Sequence, residues 1–255
     1  MTKHAPKTVL ITGATAGFGA AVARRFAADG AKLILTGRRT ERLAAMKVEL
    51  KVPVHTIAVD VRDRAGVEAS FKALPPEFAD IDLLLNNAGL AQGLDKAQDA
   101  NLDDWEVMVD TNIKGVLHYT HAVLPGMVAR KRGHVINLGS TAGAYAYPGG
   151  NVYGATKAFI RNFSLNLRAD LHGTGVRVTD IAPGLAETEF SMVRFKGEAE
   201  KASKMYSDTV PLTADDIAES IHWVATLPAH MNVNFMEIMP TVQSFQPLAV
   251  IREPK

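Results

Sequence analysis

Tyr153-Gly154-Ala155-Thr156-Lys157 opens a predicted helix, and its i, i+4 spacing puts the phenol and the ammonium on one face. A free tyrosine titrates at about 10, too high to exchange a proton readily at neutral pH. A cation close by favours the phenolate and lowers that value. Such a pair suits a general acid/base that delivers a proton as hydride arrives at a carbonyl. Alone, the spacing is common by chance. Gly139-Ser140 sharpens it, because a hydroxyl then ends a preceding predicted strand on the same edge.

A second constellation lies near the start of the chain. A predicted first strand runs into Thr12-Gly13-Ala14-Thr15-Ala16-Gly17-Phe18-Gly19 and then into a helix. Glycines at such a turn let the backbone approach a pyrophosphate, which the helix N-terminus holds with free N–H groups. The spacing is Gly-x-x-x-Gly-x-Gly, a variant of the dinucleotide fingerprint, and a plain turn is the alternative. Placement directly after the first strand favours the nucleotide. The second strand ends at Thr36-Gly37-Arg38-Arg39. Where an NAD-binding fold carries Asp or Glu for the ribose 2′-hydroxyl, this chain has Gly37 followed by two arginines. A guanidinium pairs with a 2′-phosphate that a carboxylate would repel, so the expected cofactor is NADP(H). Arg38 is the expected main contact and Arg39 an auxiliary. The alternative is that both are solvated helix-start residues.

These groups need a scaffold, and the alternation of apolar runs supplies one. Strand candidates are Thr8–Ile11, Lys32–Leu35, Val54–Val59, Leu83–Leu85, His134–Leu138, Val176–Ile181 and a last one near Phe235–Met239. Their nearly continuous apolar character suits central strands of a parallel sheet covered on both faces. Helical patterns lie between them, for example Ala20–Ala28, Glu41–Leu50 and Tyr153–Leu171. The expected architecture is α/β, a doubly wound parallel sheet with right-handed crossovers. No repeat or linker divides the chain, so residues 1–255 read as a single dinucleotide-binding and catalytic domain. A charged stretch at about 185–212 breaks the rhythm just past a strand's carboxyl end, where ligands of open α/β sheets bind. We expect a helical substrate lid there; a solvated insertion is the alternative. Residues of about 241–255 form a C-terminal tail.

Composition excludes several classes. The 255 residues carry 28 Lys+Arg against 27 Asp+Glu, a net charge of +1, with no basic tract. That balance argues against a nucleic-acid partner. There are no cysteines, hence no disulfides, thiolate nucleophiles or Cys-ligated metals, which fits a cytoplasmic location. Gly13, Gly17 and Gly19 break up the uncharged stretch Thr8–Ala23, so it does not read as a signal peptide. No apolar run is long enough for a membrane span. His118 and His121 lack a further ligand at metal spacing, and no metal is expected. Trp105 and Trp223 read as packing residues on helices.

Taken together, Thr12-Gly13-x-x-x-Gly17-x-Gly19, Asn86-Asn87-Ala88-Gly89, Asn112, Ser140, Tyr153-x-x-x-Lys157 and Pro183-Gly184-x-x-x-Thr188 resemble the short-chain dehydrogenase/reductase superfamily. The likeness runs from about Lys7 to the last strand. It implies a Rossmann-type sheet of about seven strands in the order 3-2-1-4-5-6-7. It also implies that Tyr153 is the proton donor or acceptor and that Ser140 holds and polarises the substrate oxygen. Lys157 would bind the nicotinamide ribose and lower the pKa of Tyr153, while Asn112 anchors a proton-relaying water. By the same resemblance the cofactor is held by Gly13, Thr15, Gly17, Phe18, Gly19, Asn87, Ala88 and Gly89. Asp60 would bind the adenine with Val61 beside it, and Ile181, Pro183, Gly184 and Thr188 would border the nicotinamide.

Finer motifs, including Gly37-Arg38-Arg39, Gly149-Gly150-Asn151 before Tyr153, and Val193-Arg194-Phe195-Lys196-Gly197, resemble a bacterial subgroup. Its members are NADP-dependent 3-hydroxy acid dehydrogenases acting on serine, L-allo-threonine and related short acids. Sulfoacetaldehyde reductases share much of this pattern, and Ala186-Glu187-Thr188 with Phe245-Gln246-Pro247 resembles them at least as well. Either substrate, a small hydroxy acid or an aldehyde, carries an anionic head. Arg194 is the candidate anchor for it because its planar fork suits carboxylate or sulfonate, with Tyr147 adding a hydroxyl. The alternative for Arg194 is an i, i+4 pair with Glu198. Phe159, Phe163, Leu167 and Leu171 form an apolar stripe, and the family resemblance implies a homodimer or homotetramer built on that helix. The tail, with Phe245, Leu248, Val250 and Ile251, would join the interface. A rival of another class is a non-catalytic NADP(H)-sensing regulator, since fold alone does not fix function.

Overall fold

In the computed structural model, residues 5–244 are described. Seven strands alternate with helices: β1 Thr8–Thr12, α1 Gly17–Ala28, β2 Lys32–Gly37, α2 Thr40–Glu49, β3 Val54–Ala58, α3 Arg64–Lys72 and β4 Leu83–Asn86. Then follow α4 Leu102–Val109, α5 Gly115–Ala129, β5 Gly133–Leu138, α6 Asn151–Asp170, β6 Val176–Pro183, α7 Phe190–Arg194, α8 Ala199–Lys204, α9 Ala214–Ala225 and β7 Phe235–Ile238. All seven strands are parallel, in the order β3-β2-β1-β4-β5-β6-β7. This is the doubly wound Rossmann-type arrangement expected from the strand–helix alternation.

Both sheet faces are covered. One apolar cluster joins α1, α2 and α9 to the sheet through Phe26, Leu43 and Ile217; the other joins α3, α5 and α6 through Val67, Tyr119 and Leu167. Burial on both faces is why β1, β4, β5 and β6 are buried along their whole length. Local signals agree with the global fold: α9 starts at a capping box, Thr213 accepting from the Asp216 N–H and Asp216 accepting from the Thr213 N–H. The order reverses at β1 and β4, which opens a crevice at their carboxyl ends.

Some packing expectations need correction. Leu167 and Leu171 lie in the core, whereas Phe159 and Phe163 are partly exposed and stack on each other with ring centroids 5.6 Å apart. A four-residue stripe drifts around a helix of 3.6 residues per turn, so its two ends face different surroundings. Trp105 packs beside Leu90 and Met108 as expected, but Trp223 is 53% exposed on α9. The stretch at 185–212 holds two short helices, α7 and α8, and its base is closed by a parallel bridge between Ala186 and Leu212. The tail residues Phe245, Gln246, Pro247, Leu248, Val250 and Ile251 lie outside the described residues.

Phe26 is fully buried between the sheet and α9, its ring 5.4 Å from that of His222. Phe26→Ala should lower the unfolding free energy by about 3–5 kcal/mol, measured by denaturant titration.

Candidate active site

The carboxyl ends of β1 and β4 are tied together before any ligand is considered. Thr12 Oγ1 accepts from the N–H groups of Asn87 and Ala88 at 3.0 and 2.9 Å, and Asn87 Nδ2 donates to the Thr12 carbonyl at 2.8 Å. The same amide group reaches the Gly13 carbonyl at 3.1 Å. Gly13 and Gly17 have φ of +65° and +49°, a conformation that disfavours side chains. Gly19 is constrained by space instead, since a Cβ there would lie 2.6 Å from Asn87 Nδ2. The turn thus brings backbone to the start of α1, whose first N–H groups lack intrahelical partners and suit an anion.

Four arginines gather at the start of α2 and the end of β3. Arg38 is two-thirds exposed, and its nearest acid is Asp60 at 3.7 Å. Arg39 donates twice to Thr15 Oγ1, at 3.0 and 2.8 Å, and once to Glu189 at 3.0 Å. Arg42 binds the same Glu189 carboxylate at 2.7 Å. Although partial burial raises Glu189, the hydrogen bonds from Arg42 and Arg39 hold its carboxyl below the ordinary value. Asp60 is gripped by Arg62 at 2.7–3.1 Å, and that pairing lowers it. The Asp60 side chain is therefore committed to Arg62, a competitor for the adenine contact expected of it.

The groups expected to take part in proton transfer stand after β5 and on the first turns of α6. Ser140 follows β5 and accepts from the Ala142 N–H at 3.1 Å, with its hydroxyl also in hydrogen-bonding reach of the Tyr153 phenol. Tyr153 lies on the first turn of α6, and burial pushes its phenol up to about 12. Two influences oppose that rise, the positive charge of Arg194 and the hydrogen bond with Ser140. Burial lowers Lys157 to about 8, with the Asp180 carboxylate pulling the other way. The Lys157 ammonium donates to the Leu138 carbonyl at 2.7 Å and lies 5.8 Å from the centre of the Tyr153 ring. Sequence reasoning assigned the lowering of Tyr153 to Lys157. In the structure the Arg194 guanidinium and the Ser140 hydroxyl lower the phenol and burial outweighs them, with the Lys157 ammonium also beside the ring.

Arg194 is 7% exposed, and its guanidinium packs 4.9 Å from the Tyr153 ring and 5.3 Å from the Phe190 ring. Its guanidinium donates to the Tyr147 hydroxyl at 3.2 Å, and among the described residues Nε has no partner. Glu198 pairs with Lys201 instead, so the alternative i, i+4 pairing does not form. Among the described residues no carboxylate forms an ion pair with Arg194.

A cleft of about 320 Å³ joins these parts. Every residue expected at the cofactor lines it except Gly19, which packs behind the turn, and Ile181, which is buried within β6. Ser140, Tyr153 and Lys157 line it too. Asn112 does not. It is buried in a π-helical turn, its amide donating to the Leu90 carbonyl at 2.8 Å and Thr156 Oγ1 at 3.0 Å while its oxygen accepts from the Leu90 N–H. Its side chain braces the β4–α4 loop against α6. Tyr147 and Arg194 stand outside the cleft wall, behind Tyr153 and Phe190. His118 Nδ1 is engaged by the Val61 carbonyl at 2.9 Å, and His121 is exposed. Glu189, Arg42, Phe190 and Asp180 were missed. Arg42 follows Arg38 on the same helix start and was legible; Glu189 reaches it from 147 positions away, a pairing that a linear reading does not show.

Comparison with known proteins places this geometry in a family. A family model described as short chain dehydrogenase matches residues 7–199. The chain is 62% identical over 245 residues to an NADP-dependent 3-hydroxy acid dehydrogenase, YdfG, of Salmonella typhi, covering 96% of this chain and 99% of that protein. It is 55% identical over 248 residues to sulfoacetaldehyde reductase 2 of Chromohalobacter salexigens, covering 96% and 98%. A solved structure of a serine dehydrogenase in its closed form with NADP+ superposes with a TM-score of 0.95 at 58% identity, covering 96% of this chain and all of that one. The chain belongs to the short-chain dehydrogenase family.

Proposed function

We propose that the protein is an NADP(H)-dependent oxidoreductase for small anionic 3-hydroxy acids of the serine, L-allo-threonine and 3-hydroxypropionate type. The observation that carries the substrate class is Arg194, a buried guanidinium without a carboxylate, packed on the ring of the proton-transferring tyrosine. A buried cation of this kind is costly unless an anion completes its surroundings. A carboxylate held there would lie beside the Tyr153 ring, which suits a substrate whose charge is close to its reacting carbon.

Bound nicotinamide supplies or accepts the hydride at its C4. Tyr153 and Ser140 hold the substrate oxygen, and a phenol pushed up to about 12 is protonated at neutral pH, ready to donate as a carbonyl is reduced. In the oxidative direction the phenol must give up that proton, and the groups that favour its doing so are Arg194 and Ser140. Lys157 supports the same corner through the Leu138 carbonyl and provides donors for the ribose hydroxyls. For the 2′-phosphate the freest guanidinium is Arg38, because Arg39 is already shared between Thr15 and Glu189.

Reduction of sulfoacetaldehyde is the second reading, favoured by the protonated phenol and by a guanidinium that fits sulfonate as well as carboxylate. We also place the protein in the cytoplasm as a homo-oligomer. The absence of cysteine in the sequence supports the first, and the partly exposed Phe159–Phe163 stack with the 47% exposed Leu165 on α6 supports the second. Among the described residues no helix is long and apolar enough to cross a membrane.

The deciding experiment compares kcat/KM for L-serine, L-allo-threonine, 3-hydroxypropionate and isethionate with NADP+, and for sulfoacetaldehyde with NADPH. Highest efficiency with the hydroxy acids is expected. Highest efficiency with the sulfonates selects the second reading, and no turnover of any of them rejects both in favour of a sensor. Arg194→Ala should raise KM for anionic substrates about 10- to 100-fold, the worth of a hydrogen bond to a charged group, with a much smaller effect on a neutral alcohol. Equal effects on both would remove Arg194 from the site. Arg38→Ala should lower kcat/KM for NADPH by about the same factor and leave NADH use unchanged. Comparable efficiency of the unaltered protein with NADH and NADPH would reject the cofactor assignment.

A further inference from the structure

Asp180 is a carboxylate in the middle of the sheet. It belongs to β6, in register with Asn137 of β5 and Phe235 of β7, and is 2% exposed. It does not line the cleft, and no step described above uses it. An ionised carboxylate in such a place is costly unless opposite charge and donors surround it.

Its surroundings supply the opposite charge, and they belong to the candidate active site. Lys157 and Arg161 of α6 act on it with their positive charge, and its carboxylate packs against the backbone of Gly139, whose N–H donates to the neighbouring Ile181 carbonyl at 2.7 Å. Oδ1 has no hydrogen-bond partner. A Cβ on residue 139 would overlap the Asp180 carboxylate, so glycine there is what allows the acid to approach the backbone. Gly139 lies between Leu138, whose carbonyl holds the Lys157 ammonium, and Ser140, whose hydroxyl meets the Tyr153 phenol. The other charged or titratable groups of the neighbouring elements are engaged elsewhere. Arg161 stacks 4.4 Å from the centre of the Phe235 ring, and Tyr145, in the β5–α6 loop, donates to Glu237 of β7 at 3.0 Å. Arg177, on β6 itself, binds carbonyls at the end of α9.

We propose that Asp180 is a positioning residue, the buried counter-charge that keeps Lys157 an ammonium and seats the Leu138–Gly139–Ser140 corner beneath the reacting groups. This rests on the reading of Lys157 as part of the active site. Lys157 and Asp180 form a coupled pair, in which burial presses lysine towards the neutral amine and acid towards the neutral carboxyl. Each partner's charge holds the other ionised.

The test is Asp180→Asn, which keeps the shape and removes the charge. The titration of Lys157 is followed by NMR of protein labelled at lysine 13Cε, its resonance identified by its loss in Lys157→Met. In the unaltered protein the midpoint is expected at about 8. In Asp180→Asn it should fall by about one pH unit, and the alkaline limb of kcat/KM should move down with it. A role confined to packing would change stability and leave both where they are. An unchanged midpoint overturns the proposal. The NMR arm needs no substrate, so its outcome is separate from that of the substrate comparison. Should Asp180→Asn not fold, the reciprocal measurement decides: in Lys157→Met the Asp180 13Cγ resonance should titrate at higher pH than in the unaltered protein. The same midpoint in both would overturn the proposal.

Discussion

The proton transfer proposed for Tyr153 depends on how the chain holds its hydroxyl, buried, against Ser140, with a guanidinium on its ring. Burial and charge oppose each other there. Burial keeps the proton on the phenol, and Arg194 and the Ser140 hydrogen bond draw it off. Losing β5 would displace Ser140, losing α6 would displace Tyr153 and Lys157, and losing the segment after β6 would remove Arg194. The parallel sheet matters to function because it ends β1, β4, β5 and β6 on one edge, where these groups and the glycine turn meet.

The cofactor end and the substrate end are joined through charge. Glu189 precedes α7 and binds both Arg39 and Arg42 at the start of α2. Each of these exposed pairs contributes at most about 1 kcal/mol. Their effect is geometric: they fix the segment carrying Arg194 against the segment carrying Arg38. A single acid thus ties the segment of the proposed substrate anchor to the guanidiniums expected to read the cofactor.

Much of this was legible in the sequence. Continuous apolar runs located all seven strands, because a sheet buried on both faces admits few polar residues. Tyr153-x-x-x-Lys157 and the glycine turn were readable because their geometry is local, set by one helix turn or one strand–helix corner. The misses share the opposite property. The partners that hold the Asn112 side chain, Leu90 and Thr156, come near only after folding. Asp180 reads as an ordinary polar residue in a strand, and only the assembled sheet sets it against Gly139, next to the carbonyl that holds Lys157.

The most direct measurement is the turnover of Tyr153→Phe beside its affinity for NADPH. The account predicts that kcat falls about 10²- to 10⁴-fold, the usual contribution of a positioned acid, while NADPH binds within a few-fold of the unaltered protein. A variant that binds NADPH normally and keeps most of its turnover would contradict it, since the phenol would then not carry the proton.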